Sequence, residues 1–293
     1  MAEVKKAIIP IAGLGTRFLP LTKAIPKELL PLVDKPLVYY SIKEAKDAGI
    51  QKIIFVVSQQ KKLLFNYLKP LSKTEKKLLK ERKRESILAQ VQKLEEDLSN
   101  ITFSYVQQKR PLGDGHAILQ ASKLINSEPV ACLFADDIID AKIPVIAQLL
   151  KVFKTSQKPV IALYQKPKEE ISHYGVVGVE KIAHRLFKIK KIVEKPSTEE
   201  APSDLAIVGR YILTPEVFDY LKKSKATRNG EIILADVIEN KMLKAGKLIY
   251  GYQIQGNWLE CGDKMRWLKS HFYLSLNDPD FGPELKNYLK EIN

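Results

Sequence analysis

Behind the apolar stretch AIIPIA, the segment GLGTRFLPLTKAIPKELLP runs from Gly13 to Pro31 and carries Arg17, Lys23 and Lys27. A turn needs the glycines but none of the cations. A glycine-rich loop leaving a strand presents backbone N–H groups, and basic side chains beside them equip it to hold phosphate. Two familiar phosphate loops do not fit. Phe18 stands where the dinucleotide fingerprint G-x-G-x-x-G requires its third glycine, and the pattern G-x-x-x-x-G-K-[ST] is absent. What the chain has is G-x-G-T-R at 13–17 and P-K-E-L-L-P at 26–31.

Further along, FADDIID (134–140) sets Asp136 directly behind an apolar run. A carboxylate just after an apolar strand stands at the edge of the sheet where ligands collect. Glu194 and Lys195 stand together in IVEKP. No convincing Ser-His-Asp or Cys-His set is present, so a side-chain nucleophile is not expected.

These residues need elements to position them. VKKAIIPIA, KIIFVVSQQ, ITFSYVQQ and PVACLFADDI read as strands. PLVYYSIKEAKDAGI, KKLLFNYLKPL and GHAILQASKLI read as helices between them. Continuous apolar strands alternating with helices predict a Rossmann-like α/β fold, with a mixed, mostly parallel sheet flanked by helices. Ligands collect at the strand ends of such sheets. After Pro159, VIALYQ, YGVVGVE, RLFKIKKIVEKP and DLAIVGRYIL add β-hairpins. PEVFDYLKKSK, EIILADVIENKMLKAG and two terminal segments add helices, with KLIYGYQIQG between. The expected organisation is one domain over 1–293, a nucleotide-binding half (1–158) joined to a sugar-binding and helical half (159–293). Ser72 to Ser99 forms a charged helical insertion, placed to cover the sheet edge or meet another subunit, and is assigned no chemistry.

The totals narrow the class. The 293 residues are 45% hydrophobic and 28% charged, ordinary for a globular chain. No apolar run reaches the roughly 18 residues of a membrane span, and the short N-terminal run reads as a strand rather than a leader. Two isolated cysteines, Cys132 and Cys261, make no disulfide framework and fit buried thiols in a cytoplasmic protein. The net charge of +14 lies largely on lysines interleaved with acids along helix faces, the pattern of a solvated surface rather than a nucleic-acid footprint.

The segment GLGTRFLPLTKAIPKELLPLVDKPLVYY resembles the signature of sugar-1-phosphate nucleotidyltransferases, above all the bacterial UTP–glucose-1-phosphate uridylyltransferases, or UDP-glucose pyrophosphorylases. VQQKRPLGDGHAIL, FADDIID, HYGVVGVE, IVEKP, VGRYIL and GEIILADVI follow in that family's order, so the resemblance covers nearly the whole chain. It implies attack by a glucose 1-phosphate oxygen on the α-phosphorus of UTP, giving UDP-glucose and pyrophosphate. By the same resemblance Arg17 holds the β- and γ-phosphates, Lys27 neutralises the reacting phosphates, and Lys195 grips the sugar phosphate. Gly13 and Gly15 let the backbone approach the nucleotide. Gln108 and Gly113 contact uracil, with Ala12 and Gly13 on its other side. Tyr174, Gly175, Glu194 and Gly209 line the sugar.

Mg²⁺ is the implied cofactor, held by Asp136 and by the residue at 260. There the sequence departs from the family, placing Glu260 in WLECGDK where an aspartate is usual. The extra methylene moves the carboxylate by roughly 1.5 Å. The metal site is then adjusted, the backbone shifted, or Asp263 recruited. Asp137 and Asp140 read as solvated turn residues, the role of Asp114 is left open, and His116 reads as structural. The resemblance also implies a homo-oligomer, a dimer or tetramer, with UTP and glucose 1-phosphate as small-molecule partners and neither nucleic acid nor membrane. Two alternatives stay open. A glucose-1-phosphate thymidylyltransferase is the nearer, although that family carries Ser-Lys-Gln where this chain has Pro26-Lys27-Glu28. A catalytically silent homologue is the more remote.

Overall fold

The computed structural model describes residues 2–58, 62–226 and 230–292. Gln59, Gln60 and Lys61, at the end of one expected strand and the start of the next expected helix, lie outside the described residues. The strands are β1 (Lys6–Ile11), β2 (Pro31–Leu32), β3 (Lys35–Pro36), β4 (Lys52–Val57), β5 (Thr102–Gln107), β6 (Val130–Leu133) and β7 (Asp137–Asp140). They continue with β8 (Val160–Gln165), β9 (Gly175–Ala183), β10 (Leu186–Glu194), β11 (Leu205–Leu213), β12 (Tyr250–Gln253) and β13 (Asn257–Glu260).

One sheet has the order β5-β4-β1-β6-β11-β8-β12-β10-β9. Its first four strands are parallel, and β11 lies antiparallel between β6 and β8. β9 and β10 form an antiparallel hairpin at the far edge. Alternate side chains feed two cores. Ile8, Ile54, Val56 and Cys132 face the helices at 114–120 and 215–222, whereas Ala7, Ile9, Ile53 and Phe55 face those at 37–47 and 145–156. Burial on both faces explains why these strands read as unbroken apolar runs. β1 leaves β6 after Ile8 but stays with β4 through Ile11. Pro10, with no N–H to donate, sits in that freed stretch.

Two segments differ from the sequence reading, and the helical insertion resolves into two elements. PVACLFADDI is two strands: β6 ends at Leu133, the chain turns through Phe134–Asp136, and β7 leaves the sheet to pair with β13. Two successive carboxylates cannot continue a strand buried on both faces. EIILADVIENKMLKAG is not one α-helix. Ile232 first pairs with Leu112 and Gly115 through backbone hydrogen bonds of 2.8 and 2.9 Å, the α-helix starts at Leu234, and Ile238–Leu243 is a π-helix. The insertion is a pair of helices, Lys73–Glu81 and Glu85–Leu98, the first opened by a Ser72/Glu75 capping box. Tyr39 Oη donates to Asp97 Oδ2 at 2.6 Å and Lys46 Nζ to the Glu96 carbonyl at 2.6 Å, tying the second helix to the helix at 37–47.

At the sheet centre Arg210, on β11, is fully buried. Its guanidinium donates to Glu44 Oε2 (2.9 Å), to the carbonyls of Phe134 (2.7 Å) and Gly209 (3.0 Å), and to the Asp137 carbonyl. Glu44 is also held, accepting from the Ile146 N–H at 3.1 Å. Removing one partner of a buried ion pair strands the other without solvent. Arg210→Leu is therefore expected to lower the unfolding free energy by about 3–5 kcal/mol in urea titration. An unchanged midpoint would show that the guanidinium does not brace this turn.

Candidate active site

A cavity of about 580 Å³ opens where β1, β5 and β6 end. It gathers Ala12, Gly13, Gly15, Arg17, Lys27, Gln108, Gly113, Asp136, Glu194 and Lys195 on one wall or another. Tyr174, Gly175, Gly209 and Glu260 are not part of that lining; they stand behind it.

The loop after β1 is not a strand-to-helix turn but three short 3₁₀ turns, at Thr16–Phe18, Leu21–Lys23 and Lys27–Leu29. Gly15 sits at φ +65, a left-handed conformation that favours glycine, and its carbonyl accepts from Thr22 Oγ1 at 2.9 Å. Phe18 is buried against Leu30, Leu32, Ile138 and Leu259, with Trp267 at its edge. Trp267 Nε1 in turn donates to the Pro31 carbonyl at 3.1 Å, and Lys264 Nζ to that of Leu19 at 2.7 Å. An apolar plug and the helix at 264–277 thus hold the cationic loop in place. Lys23 does not reach the cavity lining.

Lys27 Nζ lies 2.7 Å from Asp136 Oδ2. Burial pulls the Lys27 ammonium down, but the Asp136 carboxylate, with Glu28 behind it, outweighs this and raises it above its ordinary value. Burial likewise works against the Asp136 carboxylate, yet the charge and hydrogen bond of Lys27, with Arg17, hold it below its usual range. A methyl group added at Gly262 would lie 3.2 Å from Arg17 Nη1 and 3.8 Å from Asp136 Oδ2, so these groups share one corner. Among the described residues Arg17 and Lys195 make no ion pair. Lys195 is held at φ +47, an uncommon conformation for a side-chain-bearing residue, with its N–H donating to the Tyr174 carbonyl at 2.9 Å. Beside it Glu194 is raised by burial, an effect Lys195 partly offsets.

Asp137 is no solvated turn residue. It accepts from Trp258 Nε1 at 2.8 Å and the Gly209 N–H at 3.1 Å. Burial, then the neighbouring Asp136 charge, pushes its carboxyl up to about 7. Glu260, opposite Asp137 in the β7–β13 ribbon, accepts from Tyr174 Oη at 2.7 Å and pairs with Arg266 Nε at 3.1 Å. Its carboxylate is directed to these partners rather than to the Lys27–Asp136 corner. Among the described residues no cluster of three or more His, Cys, Asp or Glu is arranged to hold a metal.

On the opposite wall Gln108 is 7% exposed and donates through Nε2 to the Gly113 carbonyl at 3.0 Å. Gly113 sits at φ +94, and any Cβ there would collide with the Ile232 backbone. Asp114 Oδ1 accepts from the N–H groups of Gly115 (2.5 Å) and Leu234 (2.9 Å), fastening this segment to 232–234.

A model of the nucleotidyl transferase family matches residues 6–272. The chain belongs to that family. It is 41% identical over 291 residues to UTP–glucose-1-phosphate uridylyltransferase 1 of Staphylococcus saprophyticus, with 99% of each chain covered. Among solved structures it is similar to a UTP-bound UGPase from Acinetobacter baumannii (TM-score 0.90, 32% identity, 99% of this chain and 100% of that one). It is similar as well to a UDP-glucose pyrophosphorylase complexed with UDP-glucose (TM-score 0.81, 37% identity, 92% and 98% covered). Among the described residues no helix is long and apolar enough to cross a membrane.

Sequence reasoning passed over Arg210 and Arg266 in this nucleotidyl transferase and left the role of Asp114 open. Arg210 had a signal, a single cation inside the apolar run DLAIVGRYIL. Arg266 has its partners Glu260 and Asp263 close by in the chain, but nothing in that spacing sets it apart from a solvated helix cation. The bond from the Leu234 N–H to Asp114 left no mark, because the two are 120 positions apart. Asp114 yields a prediction. Burial, reinforced by Glu194 and Glu231 and only partly offset by its two backbone hydrogen bonds, raises its carboxyl from 3.8 to about 6. Between those values the folded state keeps a proton that the unfolded state has lost, so this group's contribution to stability falls as pH rises through the window. Asp114→Asn removes that slope. The wild type should therefore lose stability relative to the variant between about pH 4 and about pH 7 in urea titrations. A pH-independent difference would mean that Asp114 titrates normally.

Proposed function

We infer that the chain transfers a uridylyl group from UTP to α-D-glucose 1-phosphate, forming UDP-glucose and pyrophosphate. One observation carries the reading: Arg17, Lys27, Lys195, Asp136 and Gln108 line a single cavity at the ends of parallel strands. Both reactants are anions, and cations fixed in a partly dry site are the general answer to their repulsion.

A sugar-phosphate oxygen, already ionised near neutral pH, attacks the α-phosphorus in line. The new P–O bond forms as the bond to the bridging β-phosphate oxygen breaks, and pyrophosphate leaves with the electron pair. Arg17 holds the β- and γ-phosphates and stabilises that departing charge. Lys27 neutralises the reacting phosphates, and Lys195 holds the sugar phosphate. Glu194 accepts from sugar hydroxyls; Tyr174, Gly175 and Gly209 shape the wall behind it. Gln108 and Gly113, with Ala12 and Gly13 opposite, take the base, and Gly15 shapes the phosphate loop.

Asp136 fits a divalent ion such as Mg²⁺: it offers hard carboxylate oxygens at the cavity wall, and such ions are commonly held by one or two carboxylates plus substrate phosphates. When bound, the ion supplies positive charge against the phosphate oxygens. Glu260 would share such an ion only with its Oε2 already engaged by Tyr174 and Arg266.

The test is pyrophosphate release from glucose 1-phosphate offered with UTP, dTTP, ATP, CTP or GTP. Turnover with UTP, abolished by EDTA, is expected. Arg17→Ala and Lys195→Ala should each lower kcat/KM by about 10²–10³-fold, in the range for losing one oxyanion-stabilising donor. A preference for dTTP would move the chain to the thymidylyltransferases. No turnover from a folded sample would leave a silent homologue.

A further inference from the structure

His116, read from sequence as structural, touches the residue assigned to the base. Gln108 Nε2 lies 3.0 Å from the Gly113 carbonyl and 2.9 Å from His116 Nδ1. A backbone carbonyl only accepts, so the end of the amide facing Gly113 is its nitrogen. One N–H is then committed to Gly113 and the other points at the ring. On the ring's other side, Gln120 Nε2 lies 3.1 Å from His116 Nε2 and 3.2 Å from the His116 carbonyl. Two amide nitrogens therefore compete for one imidazole. A neutral ring has one lone pair and one N–H, so it can satisfy only one of them as an acceptor.

Burial decides the competition. Gln108 is 7% exposed, so solvent replaces a lost partner poorly, whereas Gln120 is partly exposed on its helix. Leaving a buried donor unpaired is the more costly choice. Gln108 takes the Nδ1 lone pair, the ring proton stays on Nε2, and Gln120 keeps only the His116 carbonyl as acceptor and swings its amide off the ring N–H toward solvent. Burial also lowers the pKa of His116, which keeps the ring neutral.

We propose that His116 is a positioning residue for base selection, fixing the Gln108 amide so that only its Oε1 is left for a ligand. The inference rests on the cavity's being a pyrimidine nucleotide site. An atom that only accepts pairs with the N3–H of uracil or thymine. It opposes cytosine, whose N3 carries a lone pair and no hydrogen. Neutral His116 thereby makes the site selective for a pyrimidine that donates at N3, without touching the nucleotide itself.

Two measurements on the full chain test this, and neither depends on turnover. The ¹⁵N shifts of His116 should report an unprotonated Nδ1 and a protonated Nε2; the opposite tautomer would overturn the proposal. Calorimetric titration should show UTP bound more tightly than CTP. His116→Leu should shrink that ratio by about tenfold, the scale of one net hydrogen bond. His116→Asn, whose Oδ1 can accept the same N–H, should restore it. Equal losses for both nucleotides, or a ratio unmoved in a folded His116→Leu protein, would make His116 merely structural. Failure of the pyrophosphate assay with a normal binding ratio would count against the proposed reaction and not against this inference.

Discussion

The cavity depends on one buried guanidinium. Arg210 enters the middle of the sheet, where an unpaired charge would be prohibitively unfavourable, and every partner it finds does something for the site. Its carbonyl acceptors at Phe134 and Asp137 flank Asp136, and the Asp136 carbonyl is taken from outside by the Cys261 N–H at 2.7 Å. The backbone on both sides of the Asp136 carboxylate is therefore held by hydrogen bonds to groups that are themselves fixed. Glu44 neutralises the guanidinium and, through Ile146, connects the turn to the helix at 145–156. The strand that inserts antiparallel between β6 and β8 carries this brace, so the mixed topology of the sheet and the placement of Asp136 are the same structural fact.

Around that fixed point charges gather in one cavity. Arg17 and Lys27 converge with Asp136 at one corner, and Glu194 and Lys195 belong to the same lining. A cation without an ion-pair partner in a confined cavity raises the local potential for anions. Among the described residues Arg17 and Lys195 are such cations, whereas Lys27 is held against Asp136 and stays charged because of it. The loop that bears Arg17 is no rigid helix, and it does not need to be. Phe18 buried below it and the helix at 264–277 beside it supply the constraint that regular secondary structure supplies elsewhere.

How much of this could be read in the sequence follows from the range of the interactions. The parallel half of the sheet was legible because burial on both faces writes itself as apolar runs such as KIIFVV and VACL. The cationic loop was legible because its glycines and cations are neighbours in the chain. Its internal form was not, since Thr22 closing on Gly15 and Trp267 capping Phe18 leave no periodic mark. The break in PVACLFADDI was written in its paired aspartates and was missed by giving more weight to the apolar run than to the cost of burying them. The extended start of EIILADVI could not have been seen, because it arises from Ile232 pairing with residues around Gly113 more than a hundred positions earlier in the chain.

The glutamate at position 260 is best understood through its neighbours. The β7–β13 ribbon brings Asp136, Asp137 and Glu260 close together, and like charges so near one another cannot all persist without separate compensation. Each carboxylate has its own. Asp136 has Lys27; Asp137 has Trp258, the Gly209 N–H and the nearby Arg210; Glu260 has Tyr174 and Arg266. The Arg266 guanidinium also lies over the Tyr174 ring at 5.4 Å, which in turn packs on Trp258, so the glutamate closes a small aromatic and ionic cluster. A side chain at 260 that answered to the Lys27–Asp136 corner alone would leave Tyr174 and Arg266 to find other partners. In this chain the position is tied to the wall that carries Glu194 and Lys195, through the Tyr174 carbonyl that receives the Lys195 N–H.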